Sequence, residues 1–243
     1  MQPLADLIRQ QLHTVAQQRA VRARDPALAE RVRGLKAYQQ QRFRRTYADL
    51  LEDSRFGPPT RFFLEELYGP GDFSERDAQF ERIVGPLVRL FPEDVTATVA
   101  QLARLHALSE TLDTVMAQHA PTSHWSPSVY VHAWQSTGGP ADRERQIHLM
   151  LDIGEALERY TRNPLLRHSL RAMRGPSRAA GLSALQRFLE TGFETFRQMR
   201  GAQPFLRTVA ERERQLCEAL FTAEVVGDDV PVVARAGPLV QLP

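Results

Sequence analysis

His106, Glu110 and Asp113 are the residues whose types and spacing most readily suggest chemistry in this chain. At about 100° per residue, with His106 at zero, Glu110 falls at about +40° and Asp113 at about −20°. Val95, Val99, Leu102 and Leu105 span about −100° to about +20°, so Asp113 lies inside an apolar stripe and His106 on its border. Carboxylates and imidazoles facing a bundle core are how helical proteins hold iron or manganese. Glu144, His148, Asp152 and Glu155 would supply the partner set. Arg145 and Arg159 share the sector of His148, however, which marks that face as solvent. The spacing also differs, His-x-x-x-Glu and Glu-x-x-x-His instead of the Glu-x-x-His of carboxylate bundles. His119 and His124 bracket Ala120-Pro121-Thr122-Ser123 with no nearby cysteine, so they read as loop residues before zinc ligands. His132, between Tyr130 and Trp134, and His168, beside Leu165, Leu166 and Leu170, could serve as axial haem ligands, although a lone helical histidine is more often a core or rim residue. Cys217 lies on the inward side of its helix near Leu216 and Leu220, which reads as an inert thiol. The sequence contains no nucleophile elbow, phosphate-binding glycine loop or dinucleotide fingerprint.

A second constellation surrounds the densest apolar run, Phe62-Phe63-Leu64-Glu65-Glu66-Leu67-Tyr68. Thr60 can cap a short helix there, and Gly69-Pro70 can end it. Phe63, Leu64, Leu67 and Tyr68 cover one side of that helix and Phe62 the other. A short helix that is apolar nearly all round is expected to be buried, with Glu65 and Glu66 at the edge of a core. Asp72-x-x-Glu75 and Ser74-x-x-Asp77 then read as overlapping capping boxes. The following helix carries Phe80, Ile83, Val84, Leu87, Leu90 and Phe91 as a stripe that Arg76 and Asp77 extend. Two readings stand side by side. Glu65 or Glu66, Arg76 and Asp77 form a polar network lining a site, or a structural network fixing how two short helices cross.

The run from Phe62 to Tyr68, followed by Gly69-Pro70 and then Asp72-Phe73-Ser74-x-Arg76-Asp77, resembles the signature of an uncharacterised bacterial family named for it, the FFLEELY-motif proteins. The stretch from Asn163 to Met199 is also similar to that family. The resemblance implies a soluble all-helical domain of unknown function and carries no catalytic residue with it.

Composition sets the remaining bounds. A chain of 243 residues with 42% hydrophobic and 25% charged residues has the makings of an ordinary globular core. The single cysteine excludes a disulfide framework. No run reaches the roughly 18 apolar residues of a membrane span, and the first residues lack a signal-peptide pattern, so a cytoplasmic protein is expected. The first 45 residues hold ten cations against three carboxylates, +7, which leaves −5 on the rest of a chain of net +2. Such an arm can bind nucleic acid weakly and without sequence preference, or dock on its own body.

The elements that must position these groups are helices. Predicted segments run from Leu4 to about Ala23, and from the Asp25 cap and Pro26 through Leu28, Val32, Leu35, Phe43, Tyr47, Leu50 and Leu51, the arginines mostly facing away. Phe56-Gly57-Pro58-Pro59 reads as a connector. A helix from Arg76 should kink or break at Pro86, and the longest uninterrupted helix spans about Glu93 to His119. Asn163-Pro164 opens a helix closing at Gly175-Pro176. Leu182, Leu185, Phe188, Leu189, Phe193, Phe196 and Met199 form the cleanest stripe, and Gln203-Pro204 starts the last helix, with Phe205, Val209, Leu216, Leu220 and Phe221 inward. The expected fold is all-α, an irregular or orthogonal bundle of about eight to ten helices. The expected division is a basic arm (1–55), a helical core (56–222) and an extended or disordered tail (223–243). The function expected first is a non-catalytic interaction or scaffolding module, with itself or another protein as partner. The alternative is a haem or di-metal carboxylate enzyme with its site between the Phe62–Tyr68 helix and the long helix.

Overall fold

A computed structural model describes residues 2–67, 71, 73–224 and 237–243. The fold is an all-α multi-helix bundle, with no strand among the described residues. Its helices are α1 (Gln2–Arg24), α2 (Pro26–Thr46), α3 (Ala48–Glu52), α4 (Gly57–Phe62), α5 (Ser74–Leu90), α6 (Glu93–Gln118), α7 (Pro127–Thr137), α8 (Pro140–Thr161), α9 (Pro164–Ala172), α10 (Arg174–Ala179), α11 (Ser183–Gln198) and α12 (Gln203–Thr222). A π-helical turn, Phe63–Leu67, continues α4, and a 3-10 turn, Pro238–Gln241, follows α12. No helix among the described residues is long and apolar enough to cross a membrane.

The long helix α6 is the axis of the bundle, and its two halves meet different partners. Its first half packs Ala100 and Ala103 against Ala5, Ile8 and Leu12 of α1 and Val84, Leu87 and Val88 of α5. Its second half joins Met116 and Ala117 to Leu28, Val32, Leu35 and Tyr38 of α2, Tyr130 of α7 and Leu216 and Leu220 of α12. A third cluster runs from Phe43 and Tyr47 through Phe63 and Leu64 to Ile147 of α8 and Phe196, Phe205 and Leu206 of α11 and α12. Four of the ten buried residues of α6 are alanines, at 100, 103, 107 and 117. Small side chains let helix axes approach closely, and they leave the larger Val99, Leu102 and Leu105 to a different face.

Local signals explain several element boundaries. Asp25 caps α2 by accepting from the Leu28 amide at 3.0 Å, with Pro26 in the first turn. Other boundaries differ from the sequence expectation. Phe56–Pro59 is not a connector: Gly57, Pro58 and Pro59 are the first turn of α4, where a missing N–H costs nothing. Asp53 leads into it by accepting from the amides of Arg55 and Phe56 at 2.7 and 2.8 Å. Thr60 is therefore inside α4, and its hydroxyl donates back to the Phe56 carbonyl at 2.7 Å. Ser74 is likewise the first residue of α5 and not its cap; Phe73 holds the cap position and makes no side-chain cap bond. Asp72, Tyr68 and the Gly69-Pro70 stop fall outside the described residues.

The helix α5 runs unbroken through Pro86, which lies on its exposed side, where water can take the carbonyl left unbonded. Leu90 is 78% exposed, since it falls about 120° round the helix from buried Val84. Gly175 and Pro176 do not close α9; they open α10, again as a proline in a first turn. Of the expected tail, residues 225–236 lie outside the described residues, and Pro238–Gln241 form a 3-10 turn. Leu239 and Leu242 are buried, Thr46 Oγ1 donates to Gln241 Oε1 and Arg45 to the Leu242 carbonyl at 2.6 Å. Their apolar side chains find a place beside Tyr38 and Leu220 that a periodicity argument over the tail could not anticipate.

Candidate functional site

The run Phe62–Leu67 forms the first wall of the site. Phe62, Phe63 and Leu64 are buried, while Glu65 is exposed and Glu66 half-buried, so the two carboxylates do stand at a core edge. Phe63 packs its ring 5.8 Å from that of Phe205 and 6.3 Å from that of Phe196. A Cβ on Gly192 would come within 3.0 Å of the Phe62 ring, so α11 needs a bare backbone there. The π turn leaves carbonyls that helical bonding does not fill, and side chains supply the donors. Gln40 Nε2 donates to the Leu64 carbonyl at 3.1 Å and Arg76 Nη1 to the Glu66 carbonyl at 2.9 Å.

Arg76 is thus held mainly by main chain and aromatic faces. Its guanidinium lies 4.3 Å from the Phe73 ring centroid and 4.6 Å from that of Phe188. The Glu66 carboxylate is an ion-pair partner at a loose 3.9 Å, so of the two carboxylates it is Glu66 that joins the network with Arg76 and Asp77, while Glu65 is exposed. Burial pulls the Arg76 guanidinium below its usual range, against the opposing pull of Asp77 and Glu66. A double-mutant cycle on Arg76→Met with Glu66→Gln should therefore give a coupling under about 1 kcal/mol. The same cycle with Phe188→Leu should give the larger coupling, about 1–2 kcal/mol by thermal unfolding; equal or reversed couplings would refute the assignment.

Asp77 ties three helices together. Its Oδ2 accepts from Arg19 of α1 at 2.6 Å and meets His106 Nε2 of α6 at 2.8 Å, and its Oδ1 is 3.6 Å from Arg76 Nε. Burial acts to raise the Asp77 carboxyl, but the His106 bond and the charges of Arg19 and Arg76 outweigh it and hold it below the usual carboxylate range. One turn further along α6, Glu110 takes Arg22 and Lys36 on its two oxygens, and Asp113 accepts from Gln39 at 3.1 Å. Burial would raise the Glu110 carboxyl, yet Lys36 and Arg22 hold it at about 2. Asp113 moves the other way: burial raises it, Lys36 at 3.9 Å offsets only part, and Glu110 adds to the rise. Two carboxyls on one helical turn are thereby shifted in opposite directions.

These residues face a common interior cavity of about 200 Å³. Val99, Leu102, Leu105, His106, Ser109, Glu110 and Asp113 are the α6 side of its wall, and Phe63 lies across from them. Phe80, Ile83, Leu185 and Phe188 are apolar lining from α5 and α11, with Ile147 and Met150 from α8, and Arg76, Asp77 and His106 stand among them. Further polar groups come from α2, α8 and α12. Arg42 donates to Glu213 at 2.5 Å, Tyr47 to the same carboxylate at 2.7 Å, and Gln146 to Ser109 at 2.9 Å. Arg143 lies over the Trp134 ring at 3.8 Å. Cys217 also lines the cavity, with burial pushing its thiol up, so it is a poor nucleophile and is partly accessible where a fully buried thiol was expected.

The other predicted ligands are elsewhere. His119, His124, His132 and His168 are exposed, as are His148, Asp152 and Glu155, so a haem with His132 or His168 as axial ligand has no enclosed place here. His106, Glu110 and Asp113 do share a wall, but each is bonded to a partner from another helix and not to its neighbours in the trio. No three His, Cys, Asp or Glu among the described residues stand close enough to share a metal ion. Sequence reading missed Arg22, Lys36, Arg42 and Glu213 as wall and network residues. The signal was present: Ala5, Ile8, Leu12, Val15, Arg19, Arg22 and Leu28, Val32, Leu35, Gln39, Arg42, Thr46 each step by three and four. The arginines at those positions sit on the buried stripe, not away from it.

An all-α bundle closed around a mixed apolar and charged interior is the class of protein that this fold and site define. The chain belongs to the family of a domain of unknown function (DUF8198), whose family model matches residues 18–226. No curated protein and no solved structure matches the chain.

Proposed function

We propose that this protein is a non-catalytic binding module that takes a small amphipathic molecule into its interior cavity, apolar part toward Phe80, Leu185 and Phe188 and polar part toward Asp113 and Arg42. The cavity carries the reading. A space of about 200 Å³ reaching into the bundle, lined by more than a dozen apolar side chains, is large enough to take a small molecule. Its walls are mostly apolar with a few hydrogen-bonding groups among them, the pattern of sites that orient one ligand. The same place, between the Phe62–Leu67 run and α6, would be the site of a cofactor-dependent enzyme. Glu110 with two cations and the exposed histidines speak against haem or di-metal chemistry there. Nucleic-acid binding by the N-terminal arm finds little support either, because Arg19, Arg22, Lys36 and Arg42 face carboxylates of the body.

Anilinonaphthalene sulfonate, an aromatic ring system with an anionic end, should show a saturable fluorescence rise with the folded chain. Leu105→Trp fills the cavity and should abolish that rise while thermal unfolding stays cooperative. Native mass spectrometry of the purified protein should show a small molecule retained by the wild type and absent from the variant. No saturable binding and no retained mass in the wild type would sink the reading.

A further inference from the structure

The second concentration of positive charge is not on the N-terminal arm. From Arg159 to Arg187 the chain has seven arginines and His168 without a single carboxylate. With the arm at +7 and this stretch at +7, the remainder of a chain of net +2 carries −12. Four of the arm's ten cations, Arg19, Arg22, Lys36 and Arg42, meet body carboxylates, whereas six of the seven arginines of this stretch turn outward. Arg159, Arg162, Arg171, Arg174, Arg178 and Arg187 are all exposed. Arg162 pairs with Glu158 and Arg174 with Glu190, both carboxylates from just outside the stretch. The helix α9 buries none of its residues, so α9 and α10 lie on the surface of the bundle. Beside them Arg174, Arg178, Ser183, Gln186, Arg187 and Glu190 edge an open recess of about 260 Å³.

Apolar side chains stand among these cations. Leu165 is 73% exposed and Met173 36%, and Leu189, one turn along α11 from the recess, is 37% exposed. Between Thr161 and Arg187 there is no Phe, Tyr or Trp on which a nucleobase could stack. Polyanions of the nucleic-acid kind reward cations alone or cations with aromatics, and they leave exposed leucine and methionine without a role. A bilayer surface rewards both: phosphates for guanidinium groups and the acyl boundary for short apolar side chains.

We propose that the face formed by the end of α8, α9, α10 and the start of α11 docks on an anionic phospholipid surface. The arginines lie at the headgroup phosphates, where planar two-pronged hydrogen bonding suits them, and Leu165 and Met173 enter the boundary below. Leu189 belongs both to this margin and to the cavity wall. Docking would therefore bring the α11 lining of the cavity beside the lipid, so that an amphipathic ligand could pass between them. That last step rests on the cavity reading; the docking itself does not.

Sedimentation with vesicles tests it, using the full chain and phosphatidylcholine alone or mixed with phosphatidylglycerol. The wild type should bind the mixed vesicles and not the neutral ones, with affinity falling as salt rises. Arg171→Gln with Arg178→Gln and Arg187→Gln should weaken binding roughly a hundredfold, and Leu165→Ser with Met173→Ser should weaken it further than charge alone explains. Arg9→Gln with Arg24→Gln and Arg33→Gln on the arm should change nothing. Leu105→Trp should dock normally, so loss of cavity binding and loss of docking are separable results. Failure to bind anionic vesicles at low salt would overturn the proposal. So would unaltered binding by the triple variant, or tight oligonucleotide binding through the same arginines that Leu165→Ser and Met173→Ser leave intact.

Discussion

Glu110→Gln should lower the stability of the folded chain by about 3–5 kcal/mol, and its melting temperature by roughly 10 °C or more. The side chain of Glu110 is only 6% exposed, and both cations that it neutralises come from other helices, Arg22 of α1 and Lys36 of α2. Replacing the carboxylate with an amide leaves two poorly solvated cations against each other, and it is that stranding, more than the loss of the pair, that costs so much. A variant with Glu110→Leu, Arg22→Met and Lys36→Met should recover much of the loss, since an apolar triad needs no desolvation. Acid should act on the same group. The Glu110 carboxyl sits at about 2 in the folded chain against an ordinary 4.5, so its contribution is complete above pH about 4.5 and disappears as pH falls toward 2. Integrated over that window it is on the order of 3 kcal/mol. Asp113, whose carboxyl is raised, changes in the opposite direction on acidification and softens the decline. Urea unfolding across that pH range, wild type against Glu110→Gln, reads both effects. A variant that melts with the wild type and shows the same acid profile would contradict the network.

Phe63→Ala should cost about 3–5 kcal/mol. Phe63 is buried in the π turn, touches the rings of Phe62, Phe196 and Phe205, and forms part of the cavity wall. Its removal enlarges a void that already exists, and a void that connects with another cannot collapse easily. The enlarged cavity should also bind a bulkier probe, which separates this variant from ordinary core truncation. A melting temperature within a degree or two of the wild type would mean that the turn is not the keystone its contacts make it.

Much of the helix order was legible because helix ends are local. Asp25-Pro26, Asn163-Pro164 and Gln203-Pro204 each mark a start within two residues, and the α11 stripe needs only its own periodicity. The same locality misled at Phe56–Pro59 and Gly175-Pro176, where glycine and proline suit a first turn as well as a connector. On α6 the sequence told that His106, Glu110 and Asp113 share a side with Val99, Leu102 and Leu105. It could not tell that this side faces a cavity while the alanines take the helix contacts, because hydrophobic size ranks the two faces in the wrong order. The partners of the trio lie 29 to 88 residues away in sequence, on α1, α2 and α5, and no spacing rule reaches that far. The acid-free run from Arg159 to Arg187 was open to inspection. What the sequence lacked was the knowledge that Arg19, Arg22, Lys36 and Arg42 of the arm are taken up by body carboxylates while most of this run is exposed.

The cavity has a volumetric consequence. Unfolding eliminates whatever part of that space the apolar walls keep dry, so the unfolded state would occupy less volume and hydrostatic pressure would favour it. A bundle with one large interior void concentrates that compressible space between α6, α8 and α11, so compression would act first where those helices meet. Occupancy of the cavity would then set how the protein responds to pressure as well as to heat, and the occupied form would be the stiffer of the two.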